Sequence, residues 1–249
     1  MQSEQDNQIS IKYIFEMPDG QSLEFLVLLD PINLDYQTIN TKEPAAWTDH
    51  SYYTCNECPL SKSGLPRCPV AVNLQDIVDA FSDSVSYEKV NITIETDERQ
   101  YSKNQVSMQS GLSSILGIIM VTSGCPSLDY LRPMAKTHLP FATIGESIYR
   151  AISMYLVAQF TRNRNGLEPD WSLDGLKQIY SQIDKINMSM VKRLQAATAQ
   201  DASLNAVVIL DSFAKMIPLT IGGTIKELEQ LFWPYLAVDS QLDIGESTD

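Results

Sequence analysis

The apolar positions of this chain change period once, and the change divides it in two. Ile9, Ile11, Tyr13 and Phe15 alternate with Ser10, Lys12 and Ile14, the pattern of a half-buried strand. Met17-Pro18-Asp19-Gly20 supplies a turn, because proline presets φ and glycine tolerates positive φ. Ser22 to Leu29 predicts a second, more buried strand that completes a hairpin and ends at Asp30-Pro31. Residues 31–54 are polar and irregular. Leu74, Ile77, Val78 and Phe81 fall at helical spacing and predict a short amphipathic helix over 70–83, with Asn73 as its cap and Asp76 three places on. Val90, Ile92 and Ile94 alternate as a third strand. Thr96-Asp97-Glu98 then turns the chain into a weaker fourth near 99–106.

From Met108 the repeat becomes 3.6 residues. Met108, Leu112, Ile115, Leu116, Ile119 and Met120 predict a helix that stops near Ser123-Gly124, with Pro133 interrupting a shorter piece over 128–136. Thr143 and Glu146 form a capping box for a helix running to Asn165, where Gly166 ends it. A long helix follows over 172–199, its stripe carried by Leu173, Leu176, Ile179, Tyr180, Ile183 and Ile186. Asp201 is expected to cap a helix that Pro218 terminates, and Gly222-Gly223 to form a turn. Thr224 to Glu227 reads as a second capping box, starting a last helix that stops near Trp233-Pro234.

The expected fold is therefore α+β. A small antiparallel sheet of two hairpins, with one helix and a Cys-rich loop, occupies residues 1–106 and packs on an all-helical array over 107–237. The acidic stretch 238–249 has no aromatic residue and is expected to be a solvated, disordered tail.

Charge narrows the function classes. Lys and Arg number 18 against 31 Asp and Glu, a net charge of −13, with no basic stripe. Such a surface repels nucleic acid and anionic membranes, which are bound by clustered Lys and Arg. The apolar run Leu112–Val121 is too short to span a bilayer, and the polar N-terminus has no export signal. The expectation is a cytoplasmic protein with no membrane and no nucleic-acid partner, leaving an unidentified protein partner and the oligomeric state open.

The chemistry with the clearest signal is cysteine. All 4 cysteines form one spaced set, Cys55-x2-Cys58-x9-Cys68-x56-Cys125, and Pro59, Pro69 and Pro126 follow the last three. In a reducing compartment such a set reads as metal ligation rather than disulfides. Soft thiolates select zinc or iron–sulfur clusters, and four of them complete either a closed tetrahedral zinc shell or a cluster. Zinc ribbons pair two close knuckles, whereas this chain has one, which tilts the spacing toward a cluster; the general abundance of zinc tilts it back. A redox dithiol at Cys55/Cys58 lacks the βαβ context that it requires, which leaves free buried thiols as the alternative without metal.

The leading expectation is a structural zinc site in an interaction or regulatory protein, with an iron–sulfur redox or sensor protein as the alternative. A third reading, a metal enzyme with an open coordination position, requires His138 or Asp129 beside a metal-bound water. His50, five residues before Cys55, is a candidate to join the shell or stand beside it. His138 and Arg132 are candidates for its outer surroundings, His138 as a donor to a thiolate. The bland readings are a loop histidine at His50 and a structural one at His138. Arg150 stands four places after Glu146, where a surface ion pair is expected. Gly222-Gly223 is too isolated for a phosphate loop, and Met188 and Met190 read as core filling.

Several longer motifs accompany the cysteines: Cys58-Pro59-Leu60, Cys68-Pro69-Val70-Ala71-x-Asn73-Leu74, Gly111-Leu112-Ser113-Ser114, Ser123-Gly124-Cys125-Pro126, Leu131-Arg132-Pro133-Met134, His138-Leu139-Pro140-Phe141-Ala142 and Leu167-Glu168-Pro169-Asp170-Trp171. In these the chain resembles an uncharacterised bacterial domain family of unknown function over nearly its whole length. The resemblance implies a bacterial cytoplasmic origin and assigns no activity or ligand.

Overall fold

The architecture matches the α+β expectation. The computed structural model describes residues 8–38, 42–56, 58–198 and 200–236. The acidic stretch 238–249 lies outside the described residues. β1 (Ile9–Glu16) and β2 (Ser22–Leu29) form the first hairpin, and β3 (Lys89–Thr96) and β4 (Gln100–Ser107) the second. The strands pair antiparallel in the order β2-β1-β3-β4, so β1 and β3 are central. Alternation in β1 sends Ile11, Tyr13 and Phe15 to the buried face, as the period-two pattern requires.

β2 is less buried than its apolar run predicts. It lies at the sheet edge with one neighbour, and only Val27 and Leu29 are fully covered, while Leu26 is exposed.

α1 (Pro69–Ala80) begins earlier than an Asn73 cap implies. Cys68 is the N-cap and Pro69 takes the first helical position, where a missing N–H costs nothing. Asn73 therefore lies inside the helix, accepting from Thr38 Oγ1 at 2.8 Å and donating to Ser123 Oγ at 3.1 Å. Phe81, just past α1, meets Phe15 at 5.0 Å and Phe25 at 5.3 Å between ring centroids, fixing this helix to the sheet.

α2 (Met108–Thr122) crosses the same face. At Gly111 a β-carbon would stand 2.2 Å from Ile92 Cδ1 and 2.6 Å from Phe15 Cε1, so only glycine permits this approach. Gly111→Ala should cost roughly 1–3 kcal/mol, by displacing two core side chains. Urea unfolding measures it; a cost within about 0.5 kcal/mol would show that the core yields freely there.

A 3-10 segment, Asp129–Thr137, accommodates Pro133 and leads to α3 (Ile144–Arg164). The Thr143/Glu146 capping box forms with both of its bonds, so the Glu146 carboxylate serves the helix start. Arg150 makes no ion pair with it among the described residues. Its guanidinium instead donates to the carbonyls of Thr137 at 2.7 Å and Met134 at 3.0 Å.

α4 (Asp174–Ala197) is entered through Asp170. This carboxylate accepts from Ser172 Oγ at 2.6 Å, Gly175 N at 2.7 Å and Tyr155 Oη at 2.8 Å. Those bonds, Ser172's hydroxyl first, hold its pKa well below the ordinary carboxylate range. A depressed pKa contributes stability above the unfolded value and loses it as pH falls through the folded one. Asp170→Asn should therefore flatten the loss of stability below about pH 4. Thermal melts in acid check this, and a slope equal to that of the unaltered protein would exclude the Asp170 contribution.

α5 (Ala202–Glu229) passes through Pro218, Gly222, Gly223 and the Thr224–Glu227 sequence without a break. The predicted stop, turn and second capping box are thus all interior helix. Ala214, Ile217 and Ile221 remain buried on either side of Pro218, and this tertiary packing outweighs one lost backbone bond. α5 packs along α4 and α2. A 3-10 turn, Gln230–Phe232, leads to α6 (Trp233–Leu236). Asp201 precedes α5 as expected, but its carboxylate reaches Ser86, at 2.9 Å to N and 3.0 Å to Oγ. The run Ala202–Leu236 is long and apolar enough to cross a membrane by length and composition, and 33% of its most apolar window is buried in the fold.

Candidate metal centre

The cysteines come from three places. Cys55 and Cys58 bracket a turn closed by Cys58 N–H donating to Cys55 O at 3.1 Å. Cys68 is the N-cap of α1, and its N–H is held by Thr48 O at 2.9 Å. Cys125 follows α2 and Gly124, whose φ of +73° turns the chain out of the helix. Its carbonyl accepts from Leu128 and Asp129, and its sulfur faces the backbone N–H groups of Ser127 and Leu128. Donors aimed at sulfur in this way favour a thiolate.

All four cysteines are free of disulfides. Three of them sense one another electrostatically across the 56 residues that separate Cys68 from Cys125. Burial pushes the Cys125 thiol up to about 11, with charge on Cys68 and Cys55 adding to the shift. Cys55 is raised by burial as well; Ser189 of α4 hydrogen-bonds it, and Cys68, Cys58 and Arg193 lie within charge range. Among the described residues, no three His, Cys, Asp or Glu side chains converge closely enough to hold a metal ion. The arrangement is a shared neighbourhood of thiols and not a preformed coordination shell.

Arg193 is the residue that sequence reasoning missed. It is 1% exposed and lies within charge range of Cys55. Its guanidinium donates to the carbonyls of Trp47 at 2.6 Å and Asp49 at 2.8 Å, and to that of Tyr53. Among the described residues no carboxylate pairs with it, and the partners of this buried positive charge there are three carbonyl dipoles. The signal was legible: position 193 lies in phase with the apolar stripe Tyr180, Ile183, Ile186 and Met190, where a charge has no place on a simple core helix. Neighbouring Lys192 covers the Tyr53 ring at 5.1 Å and donates to its hydroxyl at 2.7 Å, fastening the same loop.

The three expected outer residues go to different places. His50 lies within charge range of Arg193; burial first, and that charge second, lower its pKa, and its Nε2 is buried with no hydrogen-bond partner among the described residues. His138 instead meets Tyr13 Oη of the sheet at 2.5 Å, and burial drops its pKa to about 3, which keeps it neutral. Arg132 clamps the loop after β2, donating to Asp35 at 2.6 Å and Asn33 O at 3.2 Å, and pairs with Asp129. The groups required by an open metal position, His138 and Asp129, are thus tied to Tyr13 and Arg132.

Fold and chain order together define an α+β protein with a four-stranded antiparallel sheet and a helical C-terminal array. The chain belongs to the family described as domain of unknown function DUF6901, whose model matches residues 11–233. That match spans the whole fold and assigns no role to the cysteines. No curated protein and no solved structure matches the chain.

Proposed function

We propose that this is a metal-binding protein in which Cys55, Cys58, Cys68 and Cys125 hold one structural zinc ion, in the service of a cytoplasmic interaction or regulatory role. The observation that carries the reading is the buried Arg193 charge, within charge range of Cys55 and without a carboxylate partner among the described residues. A divalent ion in four thiolates has a net negative charge, which would supply the missing counter-charge. The N–H groups around the Cys125 sulfur and the orphaned Nε2 of His50 suit the same anionic surroundings. Zinc there would draw the thiols together and tie the start of the helical array to the loop before α1. Binding free energy would then be folding free energy.

An iron–sulfur cluster is the second reading, favoured by the single close knuckle and the prolines behind Cys58, Cys68 and Cys125. Metal analysis and a visible spectrum on protein purified anaerobically without chelator separate the two. Colourless protein with one zinc per chain is expected. Broad visible absorption with iron and sulfide would select the cluster, and the absence of any stoichiometric metal would overturn both.

A further inference from the structure

A second site lies away from the thiols, inside the helical array. A pocket of about 220 Å³, open to the surface on one side, is lined by α2, α3, α4, α5 and residues of the 128–142 segment. Its walls are mainly apolar, with Ile118, Leu131, Phe141, Leu210 and Phe213 among them. The polar groups on its lining are three serines, His138, Arg150, Tyr180 and Asn187, of which Arg150 carries the one formal charge.

Arg150 presents a guanidinium that spends only Nη2, on the carbonyls of Met134 and Thr137, and has no carboxylate partner among the described residues. Tyr180 is 4% exposed, feels the Arg150 charge, and its hydroxyl has no hydrogen bond among the described residues. Asn187, two turns further along the same face of α4, is 2% exposed, and its Nδ2 has no partner among the described residues. Polar groups left unpaired in a core are costly unless something else satisfies them. His138, on the same wall, is already bonded to Tyr13 and neutral, so it adds no second cation.

An apolar pocket whose lining holds one cation and a phenol within range of that charge is complementary to an amphipathic anion. We propose that this cavity binds a small aliphatic monocarboxylate. The carboxylate is received by Arg150 and Tyr180, and its hydrocarbon body lies against the α2 and α5 side chains. No bond is made or broken; the site is a binding pocket, separate from the thiols and independent of any metal there.

Isothermal titration with sodium octanoate and with 1-octanol tests the assignment, since the two share a hydrocarbon chain and differ in the head group. Octanoate is expected to bind saturably and at least about tenfold more tightly than octanol, the worth of a charge-assisted hydrogen bond. Arg150→Met should abolish that preference. Because Arg150 also braces two carbonyls, Tyr180→Phe serves as the milder variant; it should weaken octanoate about fivefold and leave octanol unchanged. Equal affinity for the acid and the alcohol would overturn the proposal, as would octanoate binding unaltered in Tyr180→Phe or no saturable binding into the millimolar range.

Discussion

Arg193→Met should lower the free energy of unfolding by roughly 3–5 kcal/mol, read from urea titration. Methionine fills similar apolar space, so the loss comes from the carbonyls of Trp47, Asp49 and Tyr53, which would face each other in a dry site with no donor. Each such acceptor left unsatisfied costs about 1–3 kcal/mol, and partial relaxation of the loop brings the sum down. Against a total stability of about 5–15 kcal/mol the change is large. Arg193→Lys should recover only part of it. A single ammonium group cannot span three carbonyls that a planar guanidinium reaches at once. A cost near zero for Arg193→Met would mean that the loop 47–53 does not depend on this side chain. The same variant should also weaken retention of the proposed zinc ion, because it removes a positive charge within range of Cys55.

That residue also shows where sequence reading stopped. The hairpins were legible because alternation and turn chemistry agree: Ile11, Tyr13 and Phe15 point one way, and Gly20 at φ +86° allows the turn that Met17-Pro18-Asp19-Gly20 implies. The Thr143/Glu146 box was legible for the same reason, since both of its bonds are local. Thr224/Glu227 has the same spelling yet sits inside a helix, because packing of α5 on α2 and α4 carries the helix past the point where local preference would stop it. What decides between them is tertiary, and spacing does not encode it. The cysteine spacing foretold the candidate donors but not their environment. Nothing local says that Arg193, 68 residues beyond Cys125, comes within charge range of Cys55, or that His138 turns instead to Tyr13 on the sheet. Each link crosses more than a hundred residues, with long-range packing as its only record.

If the proposed zinc ion is bound, withdrawing it should lower the melting temperature by roughly 10 °C. An ion present at about a thousand times its dissociation constant contributes about 4 kcal/mol, and a chain of this size shifts by about 2–4 °C for each kcal/mol. Chelation of purified protein, followed by a thermal melt, measures the drop, and added zinc should reverse it. Cys125→Ser supplies the control that separates ligation from packing. Loss of a half-buried thiol costs stability by itself, so the informative quantity is the chelator's effect: it should vanish in Cys125→Ser and equally in Cys55→Ser. Proton release gives an independent reading. Burial holds Cys55 and Cys125 as neutral thiols near pH 7, so zinc must displace their protons to bind. Calorimetry in buffers of different ionisation enthalpy should register that release, and acid should drive it backwards, stripping the metal as pH falls. If chelator leaves the melting temperature of the unaltered protein where it was, Cys125 is joined to the Cys55–Cys68 loop by packing alone. Among the described residues, the positive charge of Arg193 would then rest on the three carbonyls that hold it.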